Sequence, residues 1–111
     1  MFKDDITRVK HILDSSKDIL VFINNKERQD LDKDRMLVLS LVKSIEIIGE
    51  AANKISDELK SKHSSIPWED IIGMRNRLIH TYFDIDYDIV WQTVKDEIPK
   101  LIKELKKIIG D

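Results

Sequence analysis

No cysteine occurs in the 111 residues, so neither disulfides nor thiolate metal sites are available to this chain. That absence fits a reducing cytoplasm, where the protein is expected to work. Only three glycines and two prolines are present. Such scarcity excludes a glycine-rich phosphate loop and argues for long helices joined by few turns. No apolar run approaches the ~20 residues that a membrane span needs. The opening MFKDDITRVK places acids where a secretory leader would carry apolar residues, so no leader and no membrane attachment are expected. Charge of one sign is lacking too: 19 Lys and Arg stand against 21 Asp and Glu, for a net charge of −2. The chain as a whole therefore offers no general attraction to nucleic acid, and any RNA contact must come from a local patch or from a groove between two copies.

What remains is charge-rich helical pattern. The length suits a single domain over residues 1–111, able to bury one core without staples. Ile6, Val9, Leu13, Ser16, Leu20 and Ile23 recur at steps of three and four, which makes one stripe on a helix and matches no strand. Asn24 and Asn25 end it, and the polar run NNKERQD reads as a loop. A second, longer helix is marked by Val38, Leu41, Ile45, Ile48, Ala52, Ile55 and Leu59. Leu37, Val42, Ile47 and Ala51 widen its apolar surface enough to pack on two sides. One side is the bundle core; the other is open to a subunit interface or to further helices of the same chain. After KSKHSSI, Pro67 suits the first turn of a third helix striped by Trp68, Ile71, Ile72, Leu78 and Ile79. DIDYD turns the chain, with Asp86 as N-cap of a last helix striped by Tyr87, Trp91, Val94, Ile98, Leu101, Leu105 and Ile108. Pro99 must kink or split that helix. The expected architecture is all-α, an antiparallel bundle of four to five helices.

Most site patterns are missing: no nucleophile elbow and no zinc-type His/Cys cluster. His11 and His63 read as plain surface residues. The segment GMRNRLIHTY at 73–82 differs. At about 100° per residue, Arg75 projects into the middle of the third stripe, where a cation is costly unless paired or set in a wet groove. Asn76 and His80, four apart, are neighbours on a helix. Arg75 and His80, five apart, stand roughly 140° from each other on a regular helix. They can share a site if the helix ends near His80, or if the site is assembled across a dimer. Each residue also has a structural role open to it. Arg75 can pair with a core-edge carboxylate such as Glu50, Asn76 can solvate a surface, His80 can complement a helix C-terminus, and Tyr82 can be a core aromatic. Asp84, Asp86 and Asp88 alternate as turn and cap residues do.

Taken together, Arg75-x4-His80-x-Tyr82 resembles the signature of the HEPN superfamily, in the form found in HepT-type toxins. The surrounding IGEAANKI at 48–55, IPWEDIIGMRNRLIHTYFDID at 66–86 and VWQTV at 90–94 resemble that family as well. The resemblance implies a HEPN-like helical bundle that dimerises so that two motifs face one cleft. It implies a metal-independent ribonuclease that needs no cofactor. Arg75 and His80 would be the catalytic residues, supported by Asn76 and Tyr82. It further implies a toxin–antitoxin pair, in which a minimal nucleotidyltransferase antitoxin of the MntA type neutralises the toxin by transferring AMP to Tyr82. The alternative is a non-catalytic partner that presents a nucleotide or substrate to such a nucleotidyltransferase, with Arg75 and His80 only binding phosphate. The chemistry asked of these residues is sensible. RNA carries its own nucleophile in the 2′-hydroxyl, imidazole can move its proton near neutral pH, and guanidinium can meet the charge that gathers on phosphorus.

Overall fold

The computed structural model describes residues 3–81 and 84–110. Among them, helices α1 (Lys3–Phe22) and α3 (Arg35–Lys54) are the two long elements, and they pack along each other. Val9, Ile12, Leu13 and Ile19 from the first, with Ile23 just beyond its end, join Leu37, Val38, Leu41, Ile45, Ile48 and Ala52 from the second in one core. The stripe read from the sequence is displaced slightly: Ile12 and Ile19 are buried, whereas Leu20 reaches solvent. Ser16 is fully buried on this face, and its hydroxyl donates to the Ile12 carbonyl at 2.7 Å, so no polar atom is left unmatched there. Asn25 ends the first helical segment with φ 60°, a conformation asparagine tolerates better than most residues.

The polar run after α1 is shorter as a loop than its composition suggests, because α2 (Asp30–Lys33) forms one turn that buries Leu31. Arg28 ties this connection to the far end of the chain. Its Nε donates to Asp88 at 2.7 Å, its Nη1 to Asp32 at 3.1 Å, and its guanidinium lies 5.9 Å from the Tyr87 ring centre. Asp34 caps α3 by accepting from the Leu37 N–H at 3.0 Å.

The long second helix expected from the stripe does not run through to Leu59. It stops at Lys54, and α4 (Asp57–Lys62) starts afresh behind Ser56, whose hydroxyl accepts from the Leu59 N–H at 3.2 Å. Ile55 and Leu59 are both buried. The apolar spacing therefore carries across a break that it cannot reveal. Buried Asp5 fixes the break by accepting from the Ser56 N–H at 3.0 Å and from its hydroxyl at 2.6 Å.

Pro67 immediately precedes α5 (Trp68–Ile72), and the Trp68 indole N–H donates to the His63 carbonyl at 3.1 Å, closing the preceding loop. Helix α6 (Met74–Leu78) follows after Gly73, and then two short strands pair antiparallel: β1 (Ile79–Thr81) and β2 (Asp84–Ile85), with Ile79 opposite Ile85 and Thr81 opposite Asp84. This hairpin is the one departure, among the described residues, from an otherwise all-helical bundle.

Asp86 caps α7 (Tyr87–Gln92), as expected, through the Ile89 N–H at 3.1 Å. Pro99 acts on the final helix through the turn ahead of it. Lacking an N–H, it cannot donate to the preceding turn, and Thr93–Glu97 widens into a π-helical turn before α8 (Ile98–Ile109) resumes. Gly110, at φ 78°, ends that helix by donating to the Lys106 carbonyl. The last stripe is laid down as read: Val94, Ile98, Leu101 and Leu105 are buried, while Tyr87, Trp91 and Ile108 pack at its margin. No helix among the described residues is long and apolar enough to cross a membrane.

Candidate functional site

The motif segment owes its shape to a helix that fails twice. Gly73 separates α5 from α6, and α6 ends at Leu78. The first break re-phases the side chains. Met74 and Leu78 turn into the core, and Arg75 is not in the middle of an apolar stripe but at the surface, with 45% of its side chain exposed. The extrapolated stripe fails because it assumes one continuous helix across Gly73. The second break removes the angular obstacle between Arg75 and His80, since His80 belongs to β1 rather than to a helix. It is therefore not a helix C-terminal cation.

Gly49 sets how closely α3 approaches this segment. A Cβ built at Gly49 would lie 3.1 Å from the Ile72 carbonyl oxygen, so a side chain there would push the α5–α6 junction outward. Around this contact lies a shallow depression of about 300 Å³, lined by Glu46, Gly49, Glu50, Asn53, Ile72, Arg75 and Asn76. Arg75 and Asn76 are thus brought together. His80 is not part of that lining, and it engages a different carboxylate.

Arg75 Nε lies 3.4 Å from Glu46 Oε2. Its partner is Glu46 rather than Glu50, one helical turn earlier on α3. The other Glu46 oxygen accepts from Lys43 Nζ at 3.0 Å. The Lys43 hydrogen bond, reinforced by the two cations, holds the Glu46 carboxyl below its usual range, so it is ionised at neutral pH. Since the Arg75 contact uses Nε, it does not consume the two terminal amino groups of the guanidinium. Arg77, two residues on and about 200° around the helix, faces the other way. It lies 3.3 Å from Glu97 in the π-helical turn.

His80 Nε2 lies 3.2 Å from Asp86 Oδ2, and 53% of the His80 side chain is exposed. The Ile89 N–H and then His80 hold the Asp86 carboxyl below its usual range. Asp86 was legible from sequence as a cap, and its approach to His80 was not, because that depends on the hairpin. Glu46 also escaped the sequence reading; its one signal is that it shares a helix face with Glu50, four residues away. Tyr82 lies outside the described residues. His11 is exposed and His63 half-buried. No group of three or more His, Asp or Glu among the described residues is arranged to hold a metal ion.

Comparison with known proteins agrees with this segment's signature. A family model described as Ribonuclease HepT-like matches residues 12–108. A candidate RNase of Caldanaerobacter subterraneus is 41% identical over 101 residues, covering 91% of this chain and 90% of the relative. A candidate RNase of Methanocaldococcus jannaschii is 41% identical over 100 residues, covering 90% and 83%. A candidate ribonuclease HepT of Thermococcus cleftensis is 38% identical over 80 residues, covering 72% and 73%. No solved structure matches. The chain belongs to the HepT-like ribonuclease family.

Proposed function

We propose that this protein is a metal-independent endoribonuclease whose catalytic residues are Arg75 and His80. The observation that carries the reading is that both polar groups are open to solvent while Met74 and Leu78 beside them are buried. Packing therefore holds the backbone of α6 while Arg75 and His80 stay at the surface, each with one carboxylate neighbour and donors or lone pairs left over for a substrate. In the reaction, the 2′-oxygen of RNA attacks the adjacent phosphorus, and the bond from phosphorus to the 5′-oxygen breaks. The products are a 2′,3′-cyclic phosphate and a 5′-hydroxyl. His80 takes the proton of the 2′-hydroxyl, and the departing 5′-oxygen receives one from a second His80 across a dimer or from water. Arg75 meets the charge on the non-bridging oxygens, and its planar fork suits two of them at once. Asn76 and Tyr82 orient the phosphate.

The test is cleavage of single-stranded RNA by the purified protein in EDTA. Wild type should cut, and Arg75→Ala and His80→Ala should each lose cutting while keeping the helical circular dichroism of the parent. Activity that disappears in EDTA and returns with magnesium would overturn the metal-independent mechanism. RNA binding without cutting would favour the nucleotide-presenting role.

The wider role we propose is that of a toxin, active as a homodimer and restrained by a minimal nucleotidyltransferase antitoxin. The restraint is AMP transfer. The Tyr82 oxygen forms a bond to the α-phosphorus of ATP, the α–β anhydride breaks, pyrophosphate leaves, and the phenol proton passes to solvent. An adenylyl group there would occupy space intended for RNA and offer an anion to Arg75. Intact-mass spectrometry after co-expression with a minimal nucleotidyltransferase should show added AMP that vanishes in Tyr82→Phe. An unmodified chain that is nonetheless silenced would mean inhibition by binding alone.

A further inference from the structure

Three of the hydrogen bonds of Asp86 tie together the end of α6, the start of α7 and His80. The Asp86 backbone N–H donates to the Leu78 carbonyl at 2.7 Å, pinning it to the end of the helix that carries Arg75. Oδ1 accepts from the Ile89 N–H at 3.1 Å, which fixes the carboxylate plane against the first turn of α7. Oδ2 is then left pointing at His80 Nε2, 3.2 Å away. A side chain held at its backbone and at one oxygen has little freedom in where the other oxygen points.

An ionised carboxylate can only accept hydrogen bonds. Nε2 of His80 must therefore carry the hydrogen, and in the neutral ring the lone pair then sits on Nδ1. We propose that Asp86 is a positioning residue that holds His80 in its Nε2–H tautomer, so that Nδ1 is the nitrogen that takes the proton from the 2′-hydroxyl of RNA. This rests on the ribonuclease reading for the identity of the proton and on geometry alone for the tautomer. In the step itself the proton moves from the 2′-oxygen to Nδ1. The Nε2–H stays on Asp86, and the imidazolium that forms faces an anion already in place. A carboxylate that only capped α7 would do none of this, so the two roles must be separated by substitution.

Asparagine separates them. It is as good an N-cap as aspartate, so Asp86→Asn keeps α7. It has one oxygen, however, and the cap claims it. The amide nitrogen is then turned toward Nε2 and donates instead of accepting, which favours the opposite, Nδ1–H tautomer. Asp86→Ser keeps a cap and offers His80 nothing. The readout is a two-bond proton–nitrogen correlation spectrum of 15N-labelled protein above the titration of the ring, with the His80 signals identified by their loss in His80→Ala. Wild type should show the Nε2–H form almost alone, Asp86→Asn should shift the ratio toward Nδ1–H by about tenfold or more, and Asp86→Ser should give a mixture. In steady-state cleavage, Asp86→Asn should lower kcat by about 10- to 100-fold with KM little changed, less than the ~10²–10⁴ that general acid–base catalysis contributes, because the imidazole itself remains. An unchanged tautomer ratio in Asp86→Asn would overturn the proposal. So would an inverted ratio with undiminished kcat in an enzyme that His80→Ala inactivates. If His80→Ala itself cleaves normally, the ribonuclease site is wrong, and the spectrum still decides whether Asp86 sets the ring.

Discussion

Glu46 divides its two oxygens between Lys43 and Arg75, and the weakness of the second contact matters more than its existence. An exposed ion pair of this kind contributes about 0–1 kcal/mol, so a phosphate can take Arg75 from Glu46 at little cost. Glu46→Gln should accordingly change kcat/KM by less than about fivefold, and in the direction of tighter RNA binding because one anion leaves the site. Arg75→Ala should cost far more, about 10²–10³ in kcat, the scale of removing a donor aimed at developing charge. Arg75→Lys should recover only part of this, since it restores the charge without the planar fork. Steady-state rates for the three variants on one oligonucleotide check the order. Near-equal losses in Glu46→Gln and Arg75→Ala would mean that the pair, and not the cation, is the functional unit. Arg75, Asn76 and His80 stand out in the sequence because Arg75 interrupts an apolar spacing and because Arg75-x4-His80-x-Tyr82 resembles the HEPN signature. Their partners do not. Glu46 is nearly thirty residues upstream on another helix, and the approach of Asp86 to His80 is created by a hairpin whose strands are two and three residues long.

At the level of elements, the periodicity of three and four reports which residues are buried more faithfully than it reports where helices end. Ile55 and Leu59 keep the rhythm of α3 although Ser56 interrupts the helix between them, whereas across Gly73 the rhythm is re-phased and Met74 with Leu78 takes the buried positions. The stops are local chemistry: a serine that caps, a glycine between two short helices, a proline answered by a π-helical turn. The stop at Ser56 is also a tertiary lock, because Asp5 of α1 reaches it with both oxygens. With only 5% of Asp5 exposed, Asp5→Ala would leave the Ser56 N–H short of a partner and should destabilise the fold by about 1–3 kcal/mol, read as a lower Tm with unchanged catalytic residues. The same contact has a pH signature. The Ser56 hydroxyl foremost, then its N–H and the cations Arg8 and Lys60, hold the Asp5 carboxyl below its ordinary value of 3.8, against the opposing effect of burial. A depressed carboxyl contributes stability above its unfolded-state value and loses that contribution as pH falls through the folded-state value. Wild type should therefore lose an increment of stability in the acid range below 3.8 that Asp5→Asn, which cannot titrate, does not lose. Parallel acid unfolding curves for the two proteins would show that the lock carries no ionic component.

For the molecule as a whole, the core leaves several apolar side chains uncovered, and a homodimer would cover them. Val21 and Met36 are 71% and 78% exposed, and Leu20, Phe22, Leu39 and Ile47 also reach solvent. Phe22, Met36, Leu39, Arg35, Ser40, Lys43 and Ser44 line a shallow, mostly apolar groove of about 600 Å³. Scattered exposed apolar residues are ordinary on a monomer, but a contiguous patch at helical spacing is what interfaces are built from. The broad apolar surface of α3 is covered by α1 on one side and by α5 and α6 on another, and Met36 and Leu39 are left outside that packing. Lys43 belongs to this groove and also bonds Glu46, which in turn bonds Arg75, so the groove is linked to the candidate site through a run of charged side chains. A dimer formed on it would bring the two sites toward each other and would supply a second imidazole for the departing 5′-oxygen. A stable interface of this kind buries about 800 Å² on each partner and loses its apolar centre when charge is placed there. We expect wild type to sediment as a dimer at micromolar concentration, and the pair Met36→Glu with Leu39→Glu to sediment as a folded monomer, since neither residue supports the core. RNA cleavage by that monomer should fall by about 10²–10⁴-fold if the second His80 is the general acid, and should be nearly intact if water serves. A wild-type protein that remains monomeric across this range while cleaving RNA would show instead that one copy of Arg75 and His80 completes the site.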